Sequence, residues 1–437
     1  MVSSAEPTTP SAPLRWLRNF FLLAQPPLLF KEGKTLRVRR AVRARPPLQF
    51  LCYSRRTDYM RVAVVHDWLN GMRGGEKVLE AILELYPQAV IYTLFHEPGR
   101  VSQRILSHRI ITSRLDRIPG VYRHYRNLLP LFPAAVESWD LSGYDLVISS
   151  SHAVAKGVRT GPATHVCYCH TPMRYVWDAE DDYAFNPAHR LAMHAIRGRL
   201  RRWDCEKARQ VDRFVANSRF VRDRIRKYYG RDAVVIQPPI DTNFFTPGTS
   251  PTSSDIREDF YLVAGALVPY KRVDLVIDAF NQLGCRLVVA GSGPAVKSLR
   301  RAARGNIENV EFRGFVTDDE LRRLYRSAKG LVMAAREDFG MVAVEAQACG
   351  CPVIAFGAGG GSETTQDGIN GVLFAEQHVD DIVRAVRRLE SMTWPVDQVR
   401  RQVETFSREN FQVRFRKVLT EWIGEKSEAR GRERQPA

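Results

Sequence analysis

The chain has 437 residues, with 44% hydrophobic and 26% charged side chains, a globular composition on a length that exceeds one ordinary core and suggests two domains. A net charge of +17 favours anionic partners without choosing among nucleotide, nucleic acid and lipid headgroup. The 7 cysteines read as reduced thiols of a cytoplasmic protein, and Cys167-Tyr168-Cys169 and Cys349-Gly350-Cys351 lack the gap and histidine partners of a zinc site, so no metal centre is expected.

Residues 1–59 differ in composition from the rest of the chain, being rich in proline and serine and then basic. Their apolar stretch, Leu14 to Ala24, holds Arg18 and is too short to span a bilayer. It reads as a basic amphipathic anchor or, the favoured reading, as part of a disordered extension ahead of a natural start at Met60. No small-residue cleavage site marks a signal peptide. Lys31-Glu32-Gly33-Lys34-Thr35 imitates the end of a P-loop, but Leu28 stands where its first glycine belongs.

From Met60 the pattern is strand (61–65), glycine loop through Gly74-Gly75, and helix (76–86), the opening of a Rossmann-like half in which glycines let backbone approach a phosphate. Strands are expected at 89–94, 146–149, 165–168, 213–216 and 234–236, with helices between them and hence a parallel sheet. The span from Arg100 to Arg126 mixes arginine and histidine with Ile, Leu, Val and Tyr. It reads equally as a helix or loop against an anionic membrane and as an ordinary solvated face. His170 directly follows a strand, where ligands of parallel sheets bind, so it is a candidate site histidine. Glu180-Asp181-Asp182 reads as a solvated acidic run. Residues 246–254 form a linker by composition.

The second half, from residue 241 to about 410, repeats the alternation. Strands are expected at 261–266, 286–290, 310–312 and 331–333, with a glycine turn at Gly291-Ser292-Gly293 and helices at 271–282, 318–327 and 379–389. A last helix (411–422) precedes a charged tail from Glu425, expected to be disordered. The most informative stretch runs from Glu337 to Ile354. Met341 to Cys349 predicts a helix, Gly350 its C-cap, and Pro352 to Phe356 a buried strand. Glu337 and Glu345 then stand about 12 Å apart at helical rise, the reach of a diphosphate between two sugars. The helix start between them offers free N–H groups to phosphate. Gly359-Gly360-Gly361-Ser362-Glu363 opens a second such helix.

This spacing, the Phe339-Gly340 between the glutamates, and the glycine run resemble the retaining family 4 glycosyltransferases, whose fold is GT-B: α/β, two Rossmann-like domains facing a central cleft. Ser149 to Ala153, Cys169 to Asp178 and Leu267 to Asp274 look especially like O-antigen and exopolysaccharide mannosyltransferases. The resemblance covers Met60 to about Trp422, and divides the chain into an acceptor domain (60–240), a nucleotide-sugar domain (241–410) and a C-terminal helix with its tail (411–437). It implies a GDP-mannose-dependent α-mannosyltransferase needing no metal or other cofactor. His170, Lys271 and Glu337 match its catalytic positions. Gly74, Gly75, Arg272, Gly291, Phe315, Phe339, Gly340, Met341 and Glu345 join Lys271 and Glu337 in the donor site. The segment Gly314-Phe315-Val316 is implied to meet the base by backbone. Ala266 stands where many members carry an arginine, leaving the diphosphate to Lys271, Arg272 and helix N-termini. The implied acceptor is a membrane-linked oligosaccharide or glycolipid at the cytoplasmic face of the inner membrane, and no nucleic acid. A UDP-sugar donor and a non-catalytic sugar-nucleotide sensor remain alternatives.

Overall fold

The computed structural model describes residues 60–177, 187–248, 257–303 and 309–433. The expectations for residues 1–59, for Glu180-Asp181-Asp182 and for linker residues 249–254 lie outside the described residues.

The first sheet comprises β1 (Val62–His66), β2 (Val90–Thr93), β3 (Ile110–Thr112), β4 (Leu146–Ser151), β5 (Thr164–Cys169), β6 (Arg213–Ala216) and β7 (Ala233–Val235). Its order is β3-β2-β1-β4-β5-β6-β7, and every pair is parallel. Strands β1, β4 and β5 are buried along their whole length, as a sheet covered on both faces requires. The long crossovers are α1 (Gly74–Leu85), α2 (Pro187–Gln210) and α3 (Arg219–Tyr229).

The second sheet comprises β8 (Tyr261–Ala264), β9 (Leu287–Ala290), β10 (Val310–Gly314), β11 (Gly330–Met333), β12 (Val353–Phe356) and β13 (Gly371–Phe374). It is also wholly parallel, in the order β10-β9-β8-β11-β12-β13. Its principal helices are α4 (Val273–Leu283), α5 (Asp318–Ser327), α6 (Met341–Ala348), α7 (Gly361–Thr364), α8 (Val379–Glu390) and α9 (Arg408–Glu433).

Each sheet reverses its strand order once, between β1 and β4 in the first and between β8 and β11 in the second. Connections leave such a switch point in opposite directions and open a crevice at the carboxyl ends of the strands. The placement of the candidate residues is a consequence. His66 ends β1 and His170 comes directly after β5, while Lys271 comes after β8 and Glu337 after β11.

Three local expectations are corrected. Within the arginine-rich span, Ile110-Ile111-Thr112 is a strand, because two isoleucines and a threonine pair well along β2; 3-10 and single α-turns come after it. The glycine run opens only the four-residue turn α7. The tail from Glu425 is helical to Glu433 as the end of α9, and Lys426 bonds the Ala163 carbonyl at 2.9 Å and the Asp212 carboxylate. Helix α9 crosses back to the first half, where Phe411, Phe415 and Leu419 are buried among Val62, Val64, Leu79 and Tyr168. Each such side chain contributes about 1.5–3 kcal/mol by leaving water, so the end of the chain fastens the second half to the first.

Candidate active site

The helix predicted from Glu337 onward is α6, with Gly340 as its N-cap at φ 92° and Gly350 beyond its end at φ 81°. Both are left-handed conformations that favour glycine. Gly340 turns the chain from the Glu337 loop into the helix, whose first turn leaves amides without intrahelical partners. In the first half, α1 begins at Gly74. A Cβ on Gly74 would lie 2.6 Å from Met341 Sδ. Two helix N-termini, from different halves of the chain, thus approach each other where Met341 packs on Gly74. Their dipoles concentrate positive potential there.

Glu337 is 8% exposed and pairs with the Lys271 ammonium. Burial pulls the Lys271 pKa down, but Glu337 more than offsets it and leaves the lysine above its ordinary value. Glu345, 5% exposed, takes two partners: Lys77 Nζ lies 3.3 Å from Oε1, and Tyr325 donates its hydroxyl to Oε2 at 3.3 Å. Lys77 comes from α1, also lies 3.5 Å from Asp318, and sits over the Phe245 ring. Burial lowers its pKa, yet the Glu345 and Asp318 carboxylates raise it further, so it stays charged.

His170 stands beside Gly75, and its Nε2 is 2.8 Å from Ser150 Oγ. Burial, helped by His152 and His66, draws its pKa down to about 3. His170 is therefore a neutral imidazole at physiological pH.

The remaining predicted donor residues divide by what they touch. Gly291, at φ 154°, lies so close to the Gly265 carbonyl that no side chain fits, and its N–H bonds the Gly314 carbonyl at 2.7 Å. The turns after β8, β9 and β10 are thereby tied side by side. Phe315, on the last of them, is 82% exposed. Two more of the predicted residues have partners within the protein. The Phe339 ring is buried against Phe406 and so anchors the Glu337 loop to the core. Arg272, the non-glycine residue with positive φ (50°) among the described residues, turns its guanidinium to Asp274 at 3.3 Å, two residues further along the bend of the chain.

Sequence reasoning missed the seam between the halves. Asp338 accepts from Arg174 at 2.6 Å and Arg224 at 2.9 Å, and its carbonyl accepts from Ser218 at 2.6 Å. Glu363 accepts the backbone N–H groups of Arg219 and Phe220 at 2.9 and 2.8 Å, so a carboxylate of the second half sits at the N-terminus of α3 in the first. His66, Asp67, Glu76 and His152 were also missed as a cluster. Asp67 accepts four backbone N–H groups, from residues 152 to 155, at 2.7–3.0 Å. Their signal was only a polar run at the ends of two predicted strands.

Residues 72–244 match the family model described as Glycosyltransferase Family 4, and residues 251–408 that described as Glycosyl transferases group 1. An uncharacterized glycosyltransferase of Methanocaldococcus jannaschii is 29% identical over 180 residues, 41% of this chain and 49% of that one. A D-inositol 3-phosphate glycosyltransferase of Streptomyces bingchenggensis is 33% identical over 207 residues, 41% of this chain and 46% of that one. The matched stretch spans about half the length of these curated relatives. Among solved structures, Anabaena HepE with UDP and glucose superposes with a TM-score of 0.62 at 19% identity, covering 83% of this chain and all of that one. The lipopolysaccharide outer core galactosyltransferase WaaB gives 0.59 at 16%, covering 83% and 99%. The fold is GT-B.

The seam and His170 each carry a testable outcome. Asp338→Asn removes the charge that faces two largely buried guanidinium groups, a break that costs about 3–5 kcal/mol in such settings. The halves should separate, with a larger radius of gyration by small-angle scattering and unchanged circular dichroism; an unchanged radius would show that Asp338 does not hold them. For His170, a folded-state pKa of about 3 against an ordinary 6.5 means that the folded protein takes up no proton there as pH falls from 7 to 5, whereas the unfolded chain does. Its ring proton resonance should stay fixed over that interval, and stability should fall as the pH drops.

Proposed function

We propose that the chain is a retaining glycosyltransferase that moves mannose from GDP-mannose to a membrane-linked oligosaccharide or glycolipid. The observation that carries the reading is the Lys271–Glu337 pair placed where the N-termini of α1 and α6 meet, with Glu345 one helical stretch further on. A diphosphate in that position is held by the α6 amides, Lys271 and the glycine backbone at 74–75. One carboxylate is then left for each of its two sugars: Glu337 for the transferred sugar and Glu345, beside Tyr325 and Lys77, for the ribose.

Transfer requires stabilising an oxocarbenium-like centre and a departing diphosphate. In this reading Lys271 and the two helix dipoles offset the charge that develops on the leaving phosphate, without a metal ion. A retaining hydrolase uses a carboxylate nucleophile opposite an acid. Glu337 is instead engaged by Lys271, which suits a hydroxyl-binding group. Front-face substitution, in which the leaving phosphate oxygen takes the acceptor's proton, accounts for retention with these residues. Closure of the halves, fastened through Asp338 and Glu363, orders the reactants and excludes water.

The membrane part of the proposal draws on the segment after β3, where Arg114, Arg117, Arg123 and Arg126 are exposed alongside Ile118 (38%) and Leu131 (49%). Cationic and apolar groups on one stretch suit the headgroup region of an anionic leaflet, here the cytoplasmic face of the inner membrane. No helix among the described residues is long and apolar enough to cross a bilayer. The UDP in the HepE structure makes a UDP-sugar the competing donor.

Slow hydrolysis of GDP-mannose, UDP-glucose, UDP-N-acetylglucosamine and GDP-fucose, measured with a chelator present, decides among these readings. The expected result is release of GDP from GDP-mannose. Glu337→Ala should abolish turnover with much milder loss of nucleotide affinity, and Lys271→Ala should weaken both. Preference for a UDP-sugar overturns the donor, and full activity of either variant overturns the site.

A further inference from the structure

Ser150 lies between two histidines, its Oγ 2.8 Å from His170 Nε2 and 3.1 Å from His66 Nδ1. The strands set this up: His66 and Ser150 are paired neighbours on β1 and β4, and His170 is the residue after Cys169, which pairs with Ser151. A hydroxyl has one hydrogen. If it points to one histidine, the other must donate to it.

The choice is made on the far side of His66. Its Nε2 is buried, makes no hydrogen bond, and lies 3.7 Å from Glu76 Oε1. Glu76 is 4% exposed, and its other oxygen accepts the Arg73 N–H at 3.0 Å. A lone pair on Nε2 would face the carboxylate's lone pairs in a place closed to water, whereas a proton there faces negative charge. His66 therefore carries its proton on Nε2 and accepts at Nδ1 from the Ser150 hydroxyl. Ser150 Oγ in turn accepts from His170 Nε2–H, which leaves Nδ1 of His170 as a lone pair.

His152 is fixed the other way round. Its Nδ1 is 3.0 Å from Asp67 Oδ2, on a buried carboxylate that four backbone N–H groups and His152 hold ionised. Burial alone would raise that carboxyl, yet the hydrogen bonds it accepts from the His152 ring and backbone N–H help to bring it well below the ordinary range. The proton of His152 lies on Nδ1, and Nε2 keeps the lone pair. The two rings stand edge to face with centroids 6.4 Å apart, and His152 is about a quarter exposed.

We propose that Glu76, His66, Ser150 and Asp67 are positioning residues that lock His170 and His152 in opposite tautomers, so that both offer hydrogen-bond acceptors to hydroxyl groups. A phosphate oxygen has no proton to give to such an atom, and a sugar hydroxyl has. These histidines thus select the hydroxyls of the donor or acceptor sugar and leave the phosphate to Lys271 and the helix N-termini. The choice of ligand rests on the proposed glycosyl transfer, but the tautomers do not, and they are read without any substrate.

The test is nitrogen NMR of the full chain labelled with 15N-histidine at neutral pH, with signals assigned by their loss in His66→Gln, His152→Gln and His170→Gln. The expected spectra put the proton on Nε2 of His66 and His170 and on Nδ1 of His152. A proton on Nδ1 of His170, or on Nε2 of His152, overturns the proposal. In Ser150→Ala, His170 loses its acceptor and should populate both tautomers, with donor kcat/KM down about tenfold, the worth of one hydrogen bond of about 1.4 kcal/mol. Ser150→Thr should restore both. A His170 that keeps a single unchanged tautomer in Ser150→Ala overturns the relay, even if the protein proves not to transfer a sugar.

Discussion

The site depends on one constraint, the close approach of the N-termini of α1 and α6. The gap is set by Gly74, whose missing side chain leaves room for Met341. Unpaired amides at two helix starts, with Lys271 and Lys77 beside them, form a concentration of positive charge that is unfavourable unless it is balanced. The protein balances it with Glu76, Glu337 and Glu345, each largely buried and each facing a cation, a histidine or a backbone amide.

The halves are held in this relation by the same electrostatic logic. Asp338 and Glu363 of the second half stand against Arg174, Arg224 and the start of α3 in the first. Asp338 is the neighbour of Glu337, so forming the seam and placing the carboxylate that pairs with Lys271 are one act of folding. Gly359 and Gly360 allow it: the Gly360 N–H bonds the Glu337 carbonyl at 2.7 Å, and a side chain at 360 would overlap the Phe339 backbone. A change in the seam is therefore felt directly at Glu337.

Much of this was legible because it is local. The bounds of α6, its cap at Gly350 and the strand after it come from helical spacing, glycine conformation and β-branched residues within twenty positions. The crevice comes from strand-helix alternation, which places His170 and Glu337 at strand ends. What could not be read depends on partners far apart in sequence. Nothing near Asp338 announces Arg174 or Arg224, and nothing near Glu363 announces the start of α3. The Ser150 relay joins three strands, and its logic appears only once the register sets His66 beside Ser150. The burial of Phe339 is hidden for a related reason: its apolar ring finds Phe406, far along the chain, in the core. The charged end of α9 reads as a solvated tail until Lys426 meets Asp212.

The central claim is that a nucleoside diphosphate lies at the meeting of the two helix starts and is held there by protein groups alone. A crystal structure with GDP, grown with a chelator present, tests it most directly. The account predicts diphosphate oxygens at the first amides of α6 and at Lys271 Nζ, with ribose hydroxyls on Glu345. A nucleotide bound elsewhere, or one that appears only when a divalent cation bridges it to the protein, would contradict the account.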